Sequence, residues 1–433
     1  MARILIQTYG CTLNQADSRI MKSILENQGH SVTLGEATEE TVKNYDFVIL
    51  NTCTVKTPTE QKILNKISKL KALNTRLIVA GCLASASPEK VEKASPQASI
   101  VSTQNVTRIG EAIEKIGVQG KVVMDKSNIT DKMFFYKPEE SIIARIPVAE
   151  GCLSNCSFCE TKFARGPLNS FSEKLILAAV KESIKRGAKE IEITAQDTGA
   201  YGLDKKTDIA ELLSKIVELE GDFKVRLGML NPEHLNRYFD RLVEVYQNEK
   251  MYKFIHLPVQ SGRHKVLKDM RRNYTIEEFE DYIKELRSKI NLLSVETDMI
   301  VGFPTETRED FEESCELLKR IRPDVTNVSK FGARPHADAS KLEQLPNSEI
   351  KERSVEMSRI VRSIQAEKRK MLIGSIQKVL LTEKNAHSTT GRTSNYLTVA
   401  LNFPSHGLGE YVNARITAAT SASLIGEEIQ PSV

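Results

Sequence analysis

Short apolar runs alternate with amphipathic helical stretches along most of this chain, and that alternation is what most constrains its fold. In residues 1–135, RILIQT, DFVILNT and RLIVAG read as strands buried on both faces, with SRIMKSILENQG and EQKILNKISKLKAL as helices between them. The βαβα order predicts an α/β domain with a doubly wound parallel sheet. A polar linker at 136–141 follows. A second series then runs to about residue 335 through ARIPVAE, EIEITAQ, KVRLGML, KFIHLPVQ, SVETDMIVGF and VTNVSKF. These strand–helix repeats predict a full or partial parallel barrel of the (β/α)6 type. Residues 348–371 read as one long basic helix closing a 142–371 domain. Beyond Gly374, SIQKVLLTE, YLTVALN, YVNARITAA and LIGEEI predict a small all-β barrel over 372–433.

Composition narrows the function classes. The chain has 433 residues and no apolar run long enough to form a transmembrane helix. The N-terminus MARILIQTYGC is too short for a signal peptide and reads as a first strand. A net charge of +4 suits an anionic partner without requiring one. The cysteine count of 7 is odd, which argues against a disulfide framework and for metal or redox use.

Three of those cysteines fall in GCLSNCSFCETKFARG, at Cys152, Cys156 and Cys159. Iron–sulfur cubanes are held by Cys thiolates, normally one per iron. A triplet this tight can bind three irons and leave one open for a substrate or cofactor. It follows the first barrel strand, on the face where parallel barrels keep their chemistry. Structural zinc is the alternative, but it needs a further ligand and no paired motif follows. Cys11, Cys53 and Cys82 each come just after a predicted strand of the first sheet. Ligands gather at the carboxyl ends of such strands, so these three are expected to converge on a second cluster. The bland alternative is small buried residues, the reading given to Cys315 inside an amphipathic helix.

The C-x3-C-x2-C spacing, with Phe158 before the last cysteine, resembles the signature of the radical S-adenosylmethionine superfamily. YGCTLNQADS, NTCTV and AGCLA resemble the N-terminal domain of its methylthiotransferase family. QDTGAYG, HLPVQSG, MRRNYT and DMIVGFPTET resemble that family's radical domain. GRTSNY and LGEYVNARITAA resemble its TRAM domain, an RNA-binding β-barrel. The resemblance implies two [4Fe-4S] clusters, on Cys152, Cys156 and Cys159 and on Cys11, Cys53 and Cys82. It also implies S-adenosylmethionine as the source of a 5′-deoxyadenosyl radical and of a methyl group. Gln196 and Asp197, after the second barrel strand, are expected to face that cofactor. GFPTET is either an ordinary strand-to-helix turn or a cofactor contact through Gly302, Pro304 and Glu306. Arg392 and Tyr396 are the RNA-contact candidates, for backbone and base.

Lys162 and Arg165 are read as surface residues or as groups near the cofactor or RNA, and His256 as a structural histidine. The basic helix is read as a solvated connector, with RNA contact as its alternative. Within the family, ETKFARG resembles the archaeal and eukaryotic branch acting on N6-threonylcarbamoyladenosine (t6A) in tRNA. That branch implies methylthiolation at carbon 2 of the adenine just 3′ of the anticodon. It also implies an electron donor and a sulfur source; its eukaryotic members carry a C-terminal membrane anchor, and this chain, stopping after the barrel at Val433, is expected to be the soluble, cytoplasmic archaeal type without a membrane partner. Three alternatives stay open: isopentenyladenosine in tRNA, a ribosomal protein, or a non-catalytic iron–sulfur or zinc RNA-binding protein.

Overall fold

A computed structural model describes residues 1–54, 57–73, 75–127, 130–386, 388–402 and 404–429. The last four residues of the expected 372–433 domain lie outside these. The N-terminal sheet has six strands: β1 (Arg3–Thr8), β2 (Ser31–Leu34), β3 (Phe47–Thr52), β4 (Leu77–Gly81), β5 (Ser99–Val101) and β6 (Val123–Met124). Their order is β2-β1-β3-β4-β5-β6, and every pair is parallel. Successive strand side chains point to opposite faces. Ile4, Ile6 and Ile49 accordingly pack against the helices Thr12–Asn27 and Ile109–Gln119. Leu5, Val48 and Leu50 pack against the helix Thr57–Ala72 on the other side. This is the doubly wound arrangement expected. The strand order reverses between β1 and β3, the kind of switch point where ligands bind in open α/β sheets.

The central domain contains β7 (Ile143–Pro147), a short antiparallel pair β8 (Ala149–Glu150) and β9 (Asn169–Ser170), then β10 (Glu190–Thr194) and β11 (Lys224–Leu227). It continues with β12 (Phe254–His256), β13 (Ser294–Val301) and β14 (Val325–Lys330). All the expected barrel strands are present, in two parallel three-stranded sheets ordered β11-β10-β7 and β12-β13-β14. A lone bridge, Val225 to Met251, joins the halves. β7 and β14 are the outer edges of these sheets and do not pair with each other, so the barrel is partial, with a lateral opening. β12 is shorter than KFIHLPVQ suggests: regular pairing is interrupted after His256, around Pro258, and resumes only as a single bridge between Gln260 and Met299.

A 24-residue helix, Asn347–Lys370, connects to a closed five-stranded barrel of order β15-β16-β17-β19-β18. Its strands are β15 (Ile376–Lys384), β16 (Thr389–Thr393), β17 (Thr398–Leu401), β18 (Tyr411–Ala419) and β19 (Leu424–Glu428). Val379, Leu381, Val399, Val412 and Leu424 fill it. β16 is an addition to the four strands expected; it begins before the GRTSNY stretch and takes in its first three residues. Among the described residues no helix is long and apolar enough to cross a membrane.

The small barrel sits on the N-terminal ends of the central strands. Lys253 N donates to Ser394 O at 2.8 Å. The Tyr396 ring lies 4.8 Å from Tyr252 and 5.0 Å from Phe254, and its hydroxyl donates to Glu190 (3.0 Å) and Glu192 (3.2 Å). Burial, reinforced by Glu192, pushes the Glu190 carboxyl up to about 7. The folded chain therefore keeps a proton that the unfolded chain releases near its ordinary value of 4.5, and stability falls as pH rises from about 4.5 to about 7. The window corresponds to on the order of 3 kcal/mol. Glu190→Gln is expected to narrow the gap between melting temperatures at pH 5 and pH 7.5. An unchanged gap would mean that Glu190 ionises freely in the fold.

Candidate functional site

Cys11, Cys53 and Cys82 follow β1, β3 and β4, three adjacent strands at the switch point. Gly10, at φ +105°, lets them meet: a Cβ there would lie 2.8 Å from Cys53 Cβ and 3.1 Å from Cys53 Sγ. Asn14, on the first turns of the helix after Cys11, organises the group. Its amide donates to Tyr9 O and Thr52 O at 2.8 Å each, and its oxygen accepts from Cys11 Sγ (3.7 Å) and Cys82 Sγ (3.9 Å). Burial pushes the Cys82 thiol up to about 12; Arg165 opposes this, and Cys53 and Cys11 add to it. Thiols that penalise one another's ionisation suit a polynuclear metal centre, whose positive charge removes that penalty.

The second group lies on the loop between β8 and the helix Thr161–Arg165. Gly151 (φ +77°) opens it by bringing its backbone against Pro167 O, where a Cβ would stand 1.9 Å away. Cys152 is pushed up to about 12 by burial, then by Asp197, Cys159 and Cys156, against a backbone hydrogen bond from Ser154. Cys159 is raised by burial, and Thr161 N donates to its sulfur at 3.3 Å. Arg272, of MRRNYT, points Nη1 at Cys156 Sγ (3.5 Å) while Nε donates to Tyr274 and Nη2 to Pro258 O.

The two thiol groups face each other across the domain seam. Thr54, next to Cys53, donates to Glu160, next to Cys159, at 3.0 Å. Arg165, read from sequence as a surface or near-cofactor residue, is 1% exposed and spans the seam. Its Nε donates to Cys82 Sγ at 3.2 Å, its Nη2 to Asn14 (2.6 Å) and Asp17 (2.9 Å), and its Nη1 to Glu150 (3.0 Å). Lys132, equally buried, pairs with Asp17 at 2.8 Å and with Glu150. Two buried cations thus face two buried carboxylates. Burial works to raise the Asp17 carboxyl, and Lys132 and Arg165 outweigh it. Lys162 is half-buried and donates to Leu153 O.

The remaining candidates separate. Asp197 is buried beside Cys152, where it accepts from Gly199 N and Asn231 N at 3.0 Å. Asn231 in turn donates to Ser154 in the cysteine loop. Gln196 Oε1 is buried and accepts no hydrogen bond from the described residues. Gly302 turns at φ +77°, and Pro304 is half-buried beside it. Glu306 fastens the turn: one oxygen of its carboxylate accepts from Gly302 N (2.9 Å) and from the connector-helix Arg353 (2.7 Å). Tyr396 and Arg392 pack together. The tyrosine ring and hydroxyl are engaged at the domain seam, and the Arg392 guanidinium lies 4.8 Å over that ring. A surface-stacking role for Tyr396 is not the one its packing shows; an aromatic side chain satisfied on both its ring and its hydroxyl is an anchor. His256 lines the central barrel, with Nε2 3.2 Å from Asp298 and Nδ1 4.0 Å from Glu296.

Sequence reasoning missed the organising roles of Asn14, Glu160, Asn231 and Arg272. Three of them stood inside recognised motifs, YGCTLNQADS, ETKFARG and MRRNYT, so the signal was present without its geometry.

Family models match three parts of the chain: "Uncharacterized protein family UPF0004" at residues 3–103, the radical SAM superfamily at 146–318 and the TRAM domain at 370–429. The chain is 42% identical to a protein of Pyrococcus abyssi named as a probable threonylcarbamoyladenosine tRNA methylthiotransferase, over 99% of both chains. It is 38% identical to a protein of the same name from Archaeoglobus fulgidus over 98% of both. It is 31% identical to the threonylcarbamoyladenosine tRNA methylthiotransferase of Drosophila melanogaster, over 98% of this chain and 77% of that one. Among solved structures, a radical S-adenosylmethionine methyltransferase, TsrM, from Kitasatospora setae superposes with a TM-score of 0.58 at 12% identity. The match covers 87% of this chain and 80% of that one, and it speaks to fold alone.

Proposed function

This chain belongs to the threonylcarbamoyladenosine tRNA methylthiotransferase family, and from that premise we propose that it places a methylthio group on carbon 2 of t6A in tRNA, next to the anticodon. It is a radical S-adenosylmethionine enzyme with a TRAM domain. We place its domains at 1–135, 142–371 and 372–433. Cys152, Cys156 and Cys159 would hold the [4Fe-4S] cluster that serves S-adenosylmethionine, three thiolates leaving room for the cofactor beside them. Cys11, Cys53 and Cys82 hold a second [4Fe-4S] cluster, the carrier of the sulfur to be transferred. When bound, these groups supply a carbon radical able to abstract the unactivated C–H hydrogen and a methylthio group to replace it.

The protein's own residues orient and enclose. Asp197, tied to the backbone of Gly199 and Asn231, stands beside Cys152, and Gln196 offers a buried acceptor next to it. Arg272 and Arg165 each aim a buried guanidinium at one thiol, the first in the radical group and the second in the auxiliary group. Gly302 and Pro304 shape the turn that Glu306 and Arg353 close. Electrons and sulfur come from outside donors, and the work is done in the cytosol, where its tRNA substrate is found. The observation that carries this reading is the meeting of two thiol triplets, from two domains, across one seam.

Mass spectrometry of nucleosides from t6A-containing tRNA, incubated anaerobically with the reconstituted enzyme, reductant, sulfide and S-adenosylmethionine, tests it. The expected product is 2-methylthio-t6A. Methylthiolation of isopentenyladenosine, or of a ribosomal protein, with t6A untouched would reassign the substrate. Failure to cleave S-adenosylmethionine would leave only the non-catalytic alternative.

A further inference from the structure

We propose that a cavity between the central domain, the connector helix and the C-terminal barrel binds one nucleotide of the tRNA, its phosphate drawn in by Arg369 and Lys368. The proposal rests on tRNA being the substrate, and it assigns a contact outside the site of chemistry.

The cavity has a volume of about 320 Å³, in the range of small-ligand sites. Its walls are apolar, built from Ile290 and Leu293 of the central domain, Leu372 at the end of the connector helix and Leu397 of the barrel. Arg287, Lys368 and Arg369 also line it, with a single carboxylate, Asp324. That carboxylate is already engaged: it pairs with Lys368 at 2.5 Å, lies 3.9 Å from Arg287 and accepts from Val295 N at 2.9 Å. Arg369 has no carboxylate within ion-pair distance among the described residues. It is 5% exposed and donates only to Gln365 O, in its own helix, at 3.3 Å.

Three cations therefore share one anion in a partly dry place. Burial works against the charge of all three, with Asp324 the opposing influence. A buried guanidinium without a counter-charge is costly, and an incoming phosphate would remove the cost. Apolar walls beside a cationic floor suit a nucleotide better than a bare anion, since they can cover ribose or base. Asn395, on the turn between β16 and β17, adds an amide able to meet a base edge. That turn belongs to GRTSNY, so the motif reaches RNA here through its asparagine, while its tyrosine anchors the domain.

The test uses the full chain and t6A-containing tRNA in binding titrations at several salt concentrations. Lys368→Gln and Arg369→Gln are each expected to weaken binding about tenfold and to lower the salt slope by about one. Hydrogen exchange at 368–372 and 394–397 is expected to slow when tRNA is added to the wild-type chain. Lys368→Arg, which keeps the charge, is expected to retain the slope, separating lost phosphate contact from lost folding. Wild-type binding with the same affinity and slope in both glutamine variants would overturn the pocket alone. No tRNA binding by the wild-type chain would overturn the substrate reading with it. Slowed exchange with inorganic phosphate but not with tRNA would assign the cavity to a free anion and overturn the nucleotide.

Discussion

Chains carrying alanine at Cys152, Cys156 or Cys159 are expected to produce no 5′-deoxyadenosine from S-adenosylmethionine while keeping the iron of the auxiliary group. The three thiols sit on one short loop, and each raises or borders the charge of the next. The described residues nearest them that could take over a metal position are carboxylates such as Asp197, which already carries two backbone hydrogen bonds. Thiolates are the ligands that suit iron–sulfur centres, so removing one leaves a site that cannot hold the same cluster. The effect is total loss of cofactor cleavage, since the open iron goes with the cluster. Iron analysis paired with a deoxyadenosine assay reads it directly. Normal product from any of the three variants would remove that cysteine from the assignment. The converse variants, alanine at Cys11, Cys53 or Cys82, should retain some deoxyadenosine formation and lose the methylthiolated nucleoside.

Arg165→Met is expected to have the second largest effect and the broadest. It leaves Asp17 and Glu150 facing Lys132 alone, leaves the Asn14 oxygen only weak thiol donors and takes the charged donor from Cys82. Breaking a buried ion pair from one side typically costs about 3–5 kcal/mol. The loss falls at the seam, so the N-terminal and central domains should part at lower temperature, and auxiliary iron should fall although no cysteine has changed. Arg165→Lys should recover only part of this, because an ammonium cannot reproduce a planar fork reaching Cys82, Asn14, Asp17 and Glu150 together. A methionine variant with wild-type melting and full auxiliary iron would show that the network is dispensable.

How much of this was legible in sequence depended on whether the signal was local. β1, β3, β4 and most of the six barrel strands were readable because their apolar runs stand out between amphipathic helices; β14, with no fully buried residue, was readable from its place in the alternation. β2 was not, since its residues are mostly exposed, and β5 and β6 have only 3 and 2 residues. The convergence of Cys11, Cys53 and Cys82 could be inferred because strand ends in a parallel sheet share one edge. Arg165 could be named but not placed: its partners Asn14 and Glu150 lie 151 and 15 residues away, and nothing local distinguishes a buried arginine from a solvated one. Tyr396 was assigned to RNA and Glu306 to the cofactor, without their packing partners, for the same reason. Each stands in a motif, and each is held by residues distant in sequence, Glu190 and Arg353.

The small barrel's position also constrains how RNA must present its target. Tyr396, Tyr252 and Phe254 close the lower end of the central barrel, so RNA has to reach the cysteine groups from another side. Carbon 2 of an adenine stacked between its neighbours is shielded, so the adenosine is expected to be flipped out of the anticodon loop, at an unstacking cost of about a few kcal/mol. The burden of rearrangement then falls on the RNA, and loops whose bases unstack most easily at that position should be modified fastest.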